Sequence, residues 1–386
     1  MQNVYLDYAA TTPCDPRVVE ALRPYFYDTF GNTLSPHAFG RRGRKAVEDA
    51  RETVASFLGA QPTEIVFTSS ATEANNHAIS GVACALRSKG RPACPAGRHL
   101  VVSAIEHHCV LEPARRLMQE GCEVTFVSPG KDGIISPAAI EQALRPDTIL
   151  IAVAHANNEI GVLQPAEGIG RIARAKGIYF LVDAAQTVGH IPVSVTGIPC
   201  DLLSFSAHKF YGPQGVGALY IRKGVECAPL LLGGDQERNR RAGTLNVPGI
   251  VGLGEAVRLC RPLMSDEMAA QTVLRDRIIN AVLQEVPGAV LNGHRVLRLP
   301  NNANFSFEGV TGEDLVAALD MAGIAVSVGS ACTSGQLTPS HVLKAIGLSD
   351  AMALGALRVT VGRWTTAKDV DYFLEQLRLK VSRLRM

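Results

Sequence analysis

Residues 202–217 read LLSFSAHKFYGPQGVG: an apolar run, then a hydroxyl, an imidazole, Lys209 and a glycine-rich turn. Lysine is ordinarily a solvated surface residue, and a strand end can simply have reached water. An amine held at the rim of a pocket is also a nucleophile for covalent chemistry. The residues at the ends of the other apolar runs bear on the choice. After EIVFT, the residues Ser69, Ser70, Ala71 and Thr72 lead into a helix. Backbone N–H groups and a hydroxyl at a helix start suit a phosphate, although the same pattern is also an ordinary N-cap with a capping glutamate. After HLVVSAI come Glu106, His107 and His108, and DTILIAVA is succeeded by HANNEIG, with Asn157 and Asn158. IYFLV ends in Asp183 with Gln186 three residues on, and CDLLSF ends in Ser206, Ala207, His208 and Lys209. Burying that many polar groups on one rim without a ligand costs stability, so their convergence implies one.

The chain contains no G-x-G-x-x-G after its first strand and no G-x-x-x-x-G-K-[ST], so a dinucleotide or nucleoside-triphosphate site lacks its usual loop. The glycines of GPQGVG are read as letting the backbone bend around the lysine. A lysine, a strand-end aspartate and a phosphate cup together describe pyridoxal phosphate: an amine for the aldehyde, a carboxylate for the ring nitrogen and an anchor for the phosphate. A second chemistry lies downstream. VSVGSACTSGQ sets Cys332 among small residues that are poor core formers, which points to an accessible thiol rather than a packed one. In ALRVTVGRWTT, Arg358 stands within an apolar strand, and a guanidinium there suits bidentate binding of a carboxylate.

Positioning these residues requires a sheet. From about residue 64 onward, short β-branched runs alternate with helical stretches, which predicts a mostly parallel sheet covered on both faces. In such sheets ligands bind beyond the carboxyl ends of the strands. After about residue 248 the pattern changes to a long helix and then a smaller α+β arrangement. The fold class is therefore α/β, with residues 16–255 as a large cofactor-binding domain. Residues 1–15 and 256–386 form a small α+β domain carrying the cysteine loop. IAVSV is expected to continue as a strand close to Gly329, because Val328 adds β propensity.

A chain of 386 residues buries a large core, and 47% hydrophobic with 19% charged residues is ordinary for a globular protein. A net charge of +2 gives no argument for nucleic acid or a membrane, and no apolar run approaches a membrane span. No secretory signal is visible at the start. Nine scattered cysteines without a C-x-x-C pair argue against a disulfide framework or a zinc site, and for free thiols in a reducing cytoplasm.

Taken in order, YLDYAATTP, FGN, EIVFTSSATEANN, EHHCVL, NNEIGV, VDAAQTVG, SFSAHK, GGDQER, RRAGT, GSACTSG and LRVTVGRWTT resemble the cysteine desulfurases over essentially the whole chain. These are pyridoxal-phosphate enzymes of aminotransferase fold type I, and the Ser-Ala-Cys-Thr-Ser loop is similar to their subgroup with the longer cysteine loop. The resemblance implies that Lys209 carries the cofactor and acts as acid and base at the substrate Cα. It places His107 over the ring, Asp183 at the ring nitrogen, and Asn158 and Gln186 at the phenolic oxygen. Ala71, Thr72, Ser206 and His208 would hold the phosphate, with Thr244 reaching in from the other subunit of a homodimer. Arg358, with Asn158, would bind the carboxylate of L-cysteine, and Cys332 would take its sulfur for a sulfur-acceptor protein of unknown identity. No metal, direct nucleic-acid contact or membrane is implied, and the location is cytoplasmic. Departures from the family pattern are Ser70 and Ala207 where glycine is usual, Thr33-Leu34-Ser35 for Pro-Ser-Ser, Val328 for serine, and an end at SRLRM without the C-terminal extension of housekeeping members. They bear on the acceptor rather than on catalysis. A transaminase or β-lyase remains the rival reading among enzymes, and a sulfur carrier the rival outside them.

Overall fold

A computed structural model describes residues 3–87, 99–329 and 338–386; Cys332 lies outside them. In chain order the first elements are β1 (Val4–Tyr5), α1 (Pro16–Leu22), α2 (Ala38–Leu58), β2 (Ile65–Thr68), α3 (Ala71–Arg87), β3 (His99–Ser103) and α4 (His108–Gln119). Next come β4 (Glu123–Val127), α5 (Pro137–Ala143), β5 (Thr148–Ala154), α6 (Ala166–Lys176), β6 (Tyr179–Asp183), β7 (Leu202–Ser206) and β8 (Gly217–Ile221). The remainder comprises α7 (Val247–Glu285), β9 (Ala289–Leu291), β10 (Asn302–Phe307), α8 (Gly312–Asp320), β11 (Ile324–Ala325), α9 (His341–Ala345), α10 (Asp350–Leu354), β12 (Ala356–Thr360) and α11 (Ala367–Leu384).

Among the described residues, seven strands form one sheet in the order β2-β8-β7-β6-β5-β3-β4. Strands β3 to β7 pair in parallel, while β8 runs antiparallel to both β7 and β2. Alternate side chains of a strand face opposite sides, and here both sides are covered. Phe67, Val101, Ile151, Phe180 and Leu203 enter one core cluster, while Val66, Leu100, Leu150, Leu181 and Leu202 enter another. The strands therefore read as continuous apolar runs rather than as alternating ones.

A second, antiparallel sheet runs β12-β10-β9, and β1 pairs in parallel with β11, so the N-terminal strand joins the C-terminal part of the chain. α7, 39 residues and about 58 Å long at the usual rise per residue, links the two regions. Its Leu253, Val257 and Cys260 pack in the large core, and its Ile278, Ile279 and Val282 in the core of the second sheet. On this packing we propose the division 16–255 and 1–15 with 256–386, with α7 shared across the boundary. Val342 and Leu343 of α9 still pack in the large core.

Two expectations need correction. β11 ends at Ala325, and among the described residues between it and Gly329 the chain touches a strand only where Ser327 bridges to Arg358. Two-residue β1 offers no further partner, and at Gly329 the backbone turns into the left-handed region at φ +92°, so a valine at 328 does not prolong the strand. Cys122 is disulfide-bonded, whereas Cys14, Cys84, Cys109, Cys200, Cys227 and Cys260 are free. Cysteine spacing along a chain does not reveal pairs that folding brings together.

The segment leading to Thr244 is fastened to the large sheet by a buried ion pair. Arg51 donates from Nη2 to Glu237 Oε1 at 2.6 Å, and from Nη1 to Glu237 Oε2 at 2.9 Å and the Ile65 carbonyl at 2.8 Å. Glu237, Arg238 and Asn239 all have positive φ, which is costly for residues with a Cβ and persists only where surrounding contacts hold it. Arg51→Ala leaves a buried carboxylate unpaired, and we expect it to lower stability by about 3–5 kcal/mol in urea denaturation. Lys45→Ala, which breaks an exposed pair with Asp49, is expected to change it by less than about 1 kcal/mol.

Candidate active site

The carboxyl ends of β5, β6 and β7 and the starts of α3 and α4 converge, and the sequence-predicted residues stand there. β2 ends at Thr68, and the turn after it is shaped by side chains. Ser70 Oγ accepts from Glu73 N at 3.2 Å, Glu73 Oε2 accepts from Ser69 N at 2.8 Å, and Arg241 clasps the same carboxylate. Capping and site-building therefore coincide. Gly217 on β8 passes so close that a Cβ there would lie 2.8 Å from the Ser70 carbonyl carbon. α3 begins immediately afterwards with buried Ala71 and exposed Thr72.

β7 delivers the lysine. Ser206 ends the strand, and Ala207, His208 and Lys209 form a 3-10 turn. The chain bends next at Tyr211 with φ +68°, which the sequence did not mark, and again at Gly215 with φ +78°, one of the glycines read as letting the backbone turn. Such a conformation costs on the order of 1–3 kcal/mol in a residue with a Cβ. Specific contacts hold it: Tyr211 N donates to Thr12 Oγ1 at 2.7 Å, its hydroxyl accepts from Arg363 N at 2.7 Å, and the Arg363 guanidinium lies 4.0 Å from the ring centre.

Lys209 Nζ donates to the carbonyls of Ala9 at 2.6 Å and Ala10 at 2.7 Å. Burial, and after it the positive charge of Arg358, push its pKa down to about 8, against a smaller opposing effect of Asp7 and Asp183. His208 Nδ1 lies 3.0 Å from Thr11 Oγ1, and burial followed by the Lys209 charge pushes it down to about 4, so it is neutral at pH 7. Asp183, the last residue of β6 and 7% exposed, accepts from Ala185 N at 2.9 Å and from Asn75 Nδ2 at 2.8 Å. His107 is the N-cap of α4 and accepts from Cys109 N at 3.1 Å. Gln186 Nε2 donates to Ala9 O at 3.1 Å, and Ser206 Oγ to Val216 O at 3.4 Å.

Arg358 sits in β12, 4% exposed. It donates to the carbonyl of Asn158 at 3.0 Å and to Asp7 Oδ1 at 2.8 Å, while its buried Nε has no partner. Lys209, Gln186, His208, Arg358 and Asn158 are thus linked through one another or through the N-terminal segment, while Asp183 and His107 are joined through Cys109. Thr244 is exposed. Sequence reasoning missed that N-terminal segment. Asp7, Ala9, Ala10 and Thr11 wall the site, and the motif YLDYAATTP marks the family without disclosing a role for any of them. Asn75, beside Asp183, was missed too.

Residues 4–373 match the family model of aminotransferase class V. The chain is 50% identical over 384 residues to the cysteine desulfurase IscS of Dictyoglomus turgidum, covering 100% of this chain and 96% of that one. The chain belongs to the cysteine desulfurases of aminotransferase class V. The IscS of Methanosarcina thermophila is 48% identical over 99% of this chain and 93% of its own length. Among solved structures, a NifS-like protein superposes with a TM-score of 0.91 at 37% identity, over 99% of this chain and 100% of that one. SspA in complex with cysteine superposes at 0.82 and 38% identity, over 94% of this chain and 100% of that one.

Members of this family are pyridoxal-phosphate enzymes, and the residues present fit that cofactor. An amine with a lowered pKa, a buried carboxylate without an ion-pair partner among the described residues, and a helix start lined by hydroxyls are the three groups it needs.

The lowered pKa of Lys209 has a measurable consequence. Between about 8 and the ordinary 10.5, an unfolded chain holds a lysine proton that the folded one has released. Lys209 therefore contributes a rise in stability of the cofactor-free protein as pH increases through that window. Competitive acylation of the cofactor-free protein, read by peptide mass spectrometry, is expected to show Lys209 reactivity rising with a midpoint near about 8; a midpoint at the ordinary value contradicts the burial argument.

Proposed function

We propose that Lys209, Asp183, Arg358 and Cys332 carry the removal of sulfur from L-cysteine, yielding L-alanine and a persulfide on Cys332. The observation that supports this most is the placement of Lys209 just past the end of β7, where its amine donates to the carbonyls of Ala9 and Ala10 in the same N-terminal segment whose Asp7 pairs with Arg358. Bound there, pyridoxal phosphate supplies an electron sink that acidifies the substrate Cα–H and weakens its Cβ–S bond.

The chain's own residues do the rest. Arg358 offers the substrate carboxylate a cation already fixed by Asn158 and Asp7, so little reorganisation is needed on binding. Lys209, drier than a surface lysine, is in part neutral near pH 8 and takes the Cα proton. Ala71, Thr72, Ser206 and His208 hold the phosphate, and Asn158 and Gln186 the phenolic oxygen. His107 covers the ring. The Cys332 thiolate attacks the substrate sulfur. An S–S bond forms as Cβ–S breaks, the electron pair and a proton end on Cβ, and alanine leaves.

The persulfide is passed in the cytoplasm to an acceptor protein, for iron–sulfur assembly or for thiolation of other products. A homodimer is part of the same reading, with Thr244 reaching the other subunit's phosphate. Phe26, Tyr27, Phe30, Leu34 and Phe39 form an exposed apolar run, and Leu232 is 83% exposed, which suits a surface that a second copy covers. Among the described residues no helix is long and apolar enough to cross a membrane.

Cys332→Ala tests the sulfur step. It is expected to bind L-cysteine, seen as a change in the cofactor absorbance, and to release almost no alanine or sulfide. Alanine at the wild-type rate would replace this reading with a lyase. Light scattering combined with absorbance is expected to find the cofactor only in a species of twice the chain mass. A monomer with full cofactor content would remove Thr244 from the site.

A further inference from the structure

The mechanism leaves unused a line of polar groups behind Asp183. Asn75, in the second turn of α3, and Ser204, in the middle of β7, are both 0% exposed. Ser204 Oγ donates to Asn75 Oδ1 at 2.6 Å, and Asn75 Nδ2 donates to Asp183 Oδ2 at 2.8 Å. Asn75 Nδ2 also lies 3.1 Å from Cys109 Sγ, and that sulfur is 3.8 Å from Asp183 Oδ2. β6 and β7 pair Asp183 with Ser204 across the sheet, so the three residues close a ring through the backbone ladder.

The direction of this chain of hydrogen bonds is set by the inventory of donors and acceptors. An ionised carboxylate only accepts, so the amide must present Nδ2 to Asp183. Its Oδ1 then needs a donor, and the Ser204 hydroxyl is that donor. Reversing the amide would set oxygen against oxygen at Asp183 in a site closed to water. Ala185 N, at 2.9 Å, holds the other oxygen, so both ends of the carboxylate are tied before any ligand arrives.

We propose that Asn75, oriented by Ser204, is a positioning residue that fixes the Asp183 carboxylate toward the cationic ring nitrogen of the cofactor. The proposal rests on the reading that Asp183 takes that nitrogen. It also gives α3 two tasks. Its first residues face the phosphate, and Asn75, three residues beyond Thr72 and about 4.5 Å further along the axis, sets the carboxylate. One rigid helix thereby links the anchors for both ends of the cofactor.

The test compares Asp183→Asn, Asn75→Ala and Ser204→Ala as cofactor-loaded enzymes. The readout is the pH midpoint of the bound cofactor's visible absorbance, which reports the proton on the Lys209 nitrogen. A ring nitrogen that loses its proton withdraws less electron density, so this midpoint moves up. The largest rise is expected for Asp183→Asn, about one unit for Asn75→Ala, a tenfold change in proton affinity, and a smaller rise for Ser204→Ala. For Asn75→Ala, kcat falls about tenfold with little change in KM for L-cysteine, and Ser204→Ala shows a weaker version of that split. Ser204→Ala removes one oxygen and opens no large cavity, so it reads the relay even if Asn75→Ala folds poorly. If Asp183→Asn moves the midpoint and neither other variant does, Asn75 is merely structural and the proposal falls. If Asp183→Asn leaves it unmoved, the reading of Asp183 itself fails, and the relay with it.

Discussion

A lysine amine whose burial lowers its hold on a proton is the constraint around which this structure is arranged. Lys209 is held by two backbone carbonyls, those of Ala9 and Ala10, and faces the positive charge of Arg358. Carbonyl dipoles stabilise a cation less than a carboxylate at hydrogen-bonding distance would, and no such partner is present for Lys209 among the described residues. Burial and Arg358 together then lower the pKa of the amine. Both carbonyls come from the N-terminal segment, about 200 residues away in sequence, so the reactivity of the lysine depends on how the chain ends are folded back.

That dependence explains the attachments of the segment. Thr12 N and Oγ1 both donate to the His208 carbonyl, and the same Oγ1 accepts from Tyr211 N. Ala9 N donates to Thr360 Oγ1 on β12 at 3.0 Å, and Asp7 pairs with Arg358 two residues earlier on that strand. The lysine turn, the N-terminal segment and the arginine strand form one hydrogen-bonded assembly across both sheets. The Lys209 amine and the Arg358 guanidinium are thereby held near enough that the charge of the second lowers the proton affinity of the first.

The fold was legible from sequence because its strands are buried on both faces. Ile65–Thr68, His99–Ser103 and Leu202–Ser206 are buried along their whole length, and so stand out as apolar runs whose ends are marked by the first polar residues. Those same end residues, Asp183 and the Ser206–Lys209 group, stand where the site is proposed, which is why its core could be named. The N-terminal wall was not readable, since Ala9 and Ala10 act through backbone carbonyls that carry no side-chain signature. Asn75 was hidden because it stands in a polar stretch, Thr72, Glu73, Asn75, Asn76 and His77, in which nothing marks the one residue that faces Asp183. The bend at Tyr211 was missed because its left-handed conformation is imposed by Thr12 and Arg363, tertiary partners that local propensity does not contain. The strand expected toward Gly329 failed for a similar reason: β propensity at Val328 does not create a neighbouring strand to pair with.

The central claim is that one amine among the lysines of this chain holds the cofactor. Borohydride reduction of the cofactor-loaded protein, then proteolysis and mass spectrometry, measures this directly. The account predicts one pyridoxyl-modified peptide, spanning the SFSAHK sequence with the added mass on Lys209. Modification spread over several surface lysines, or confined to another one, would contradict it.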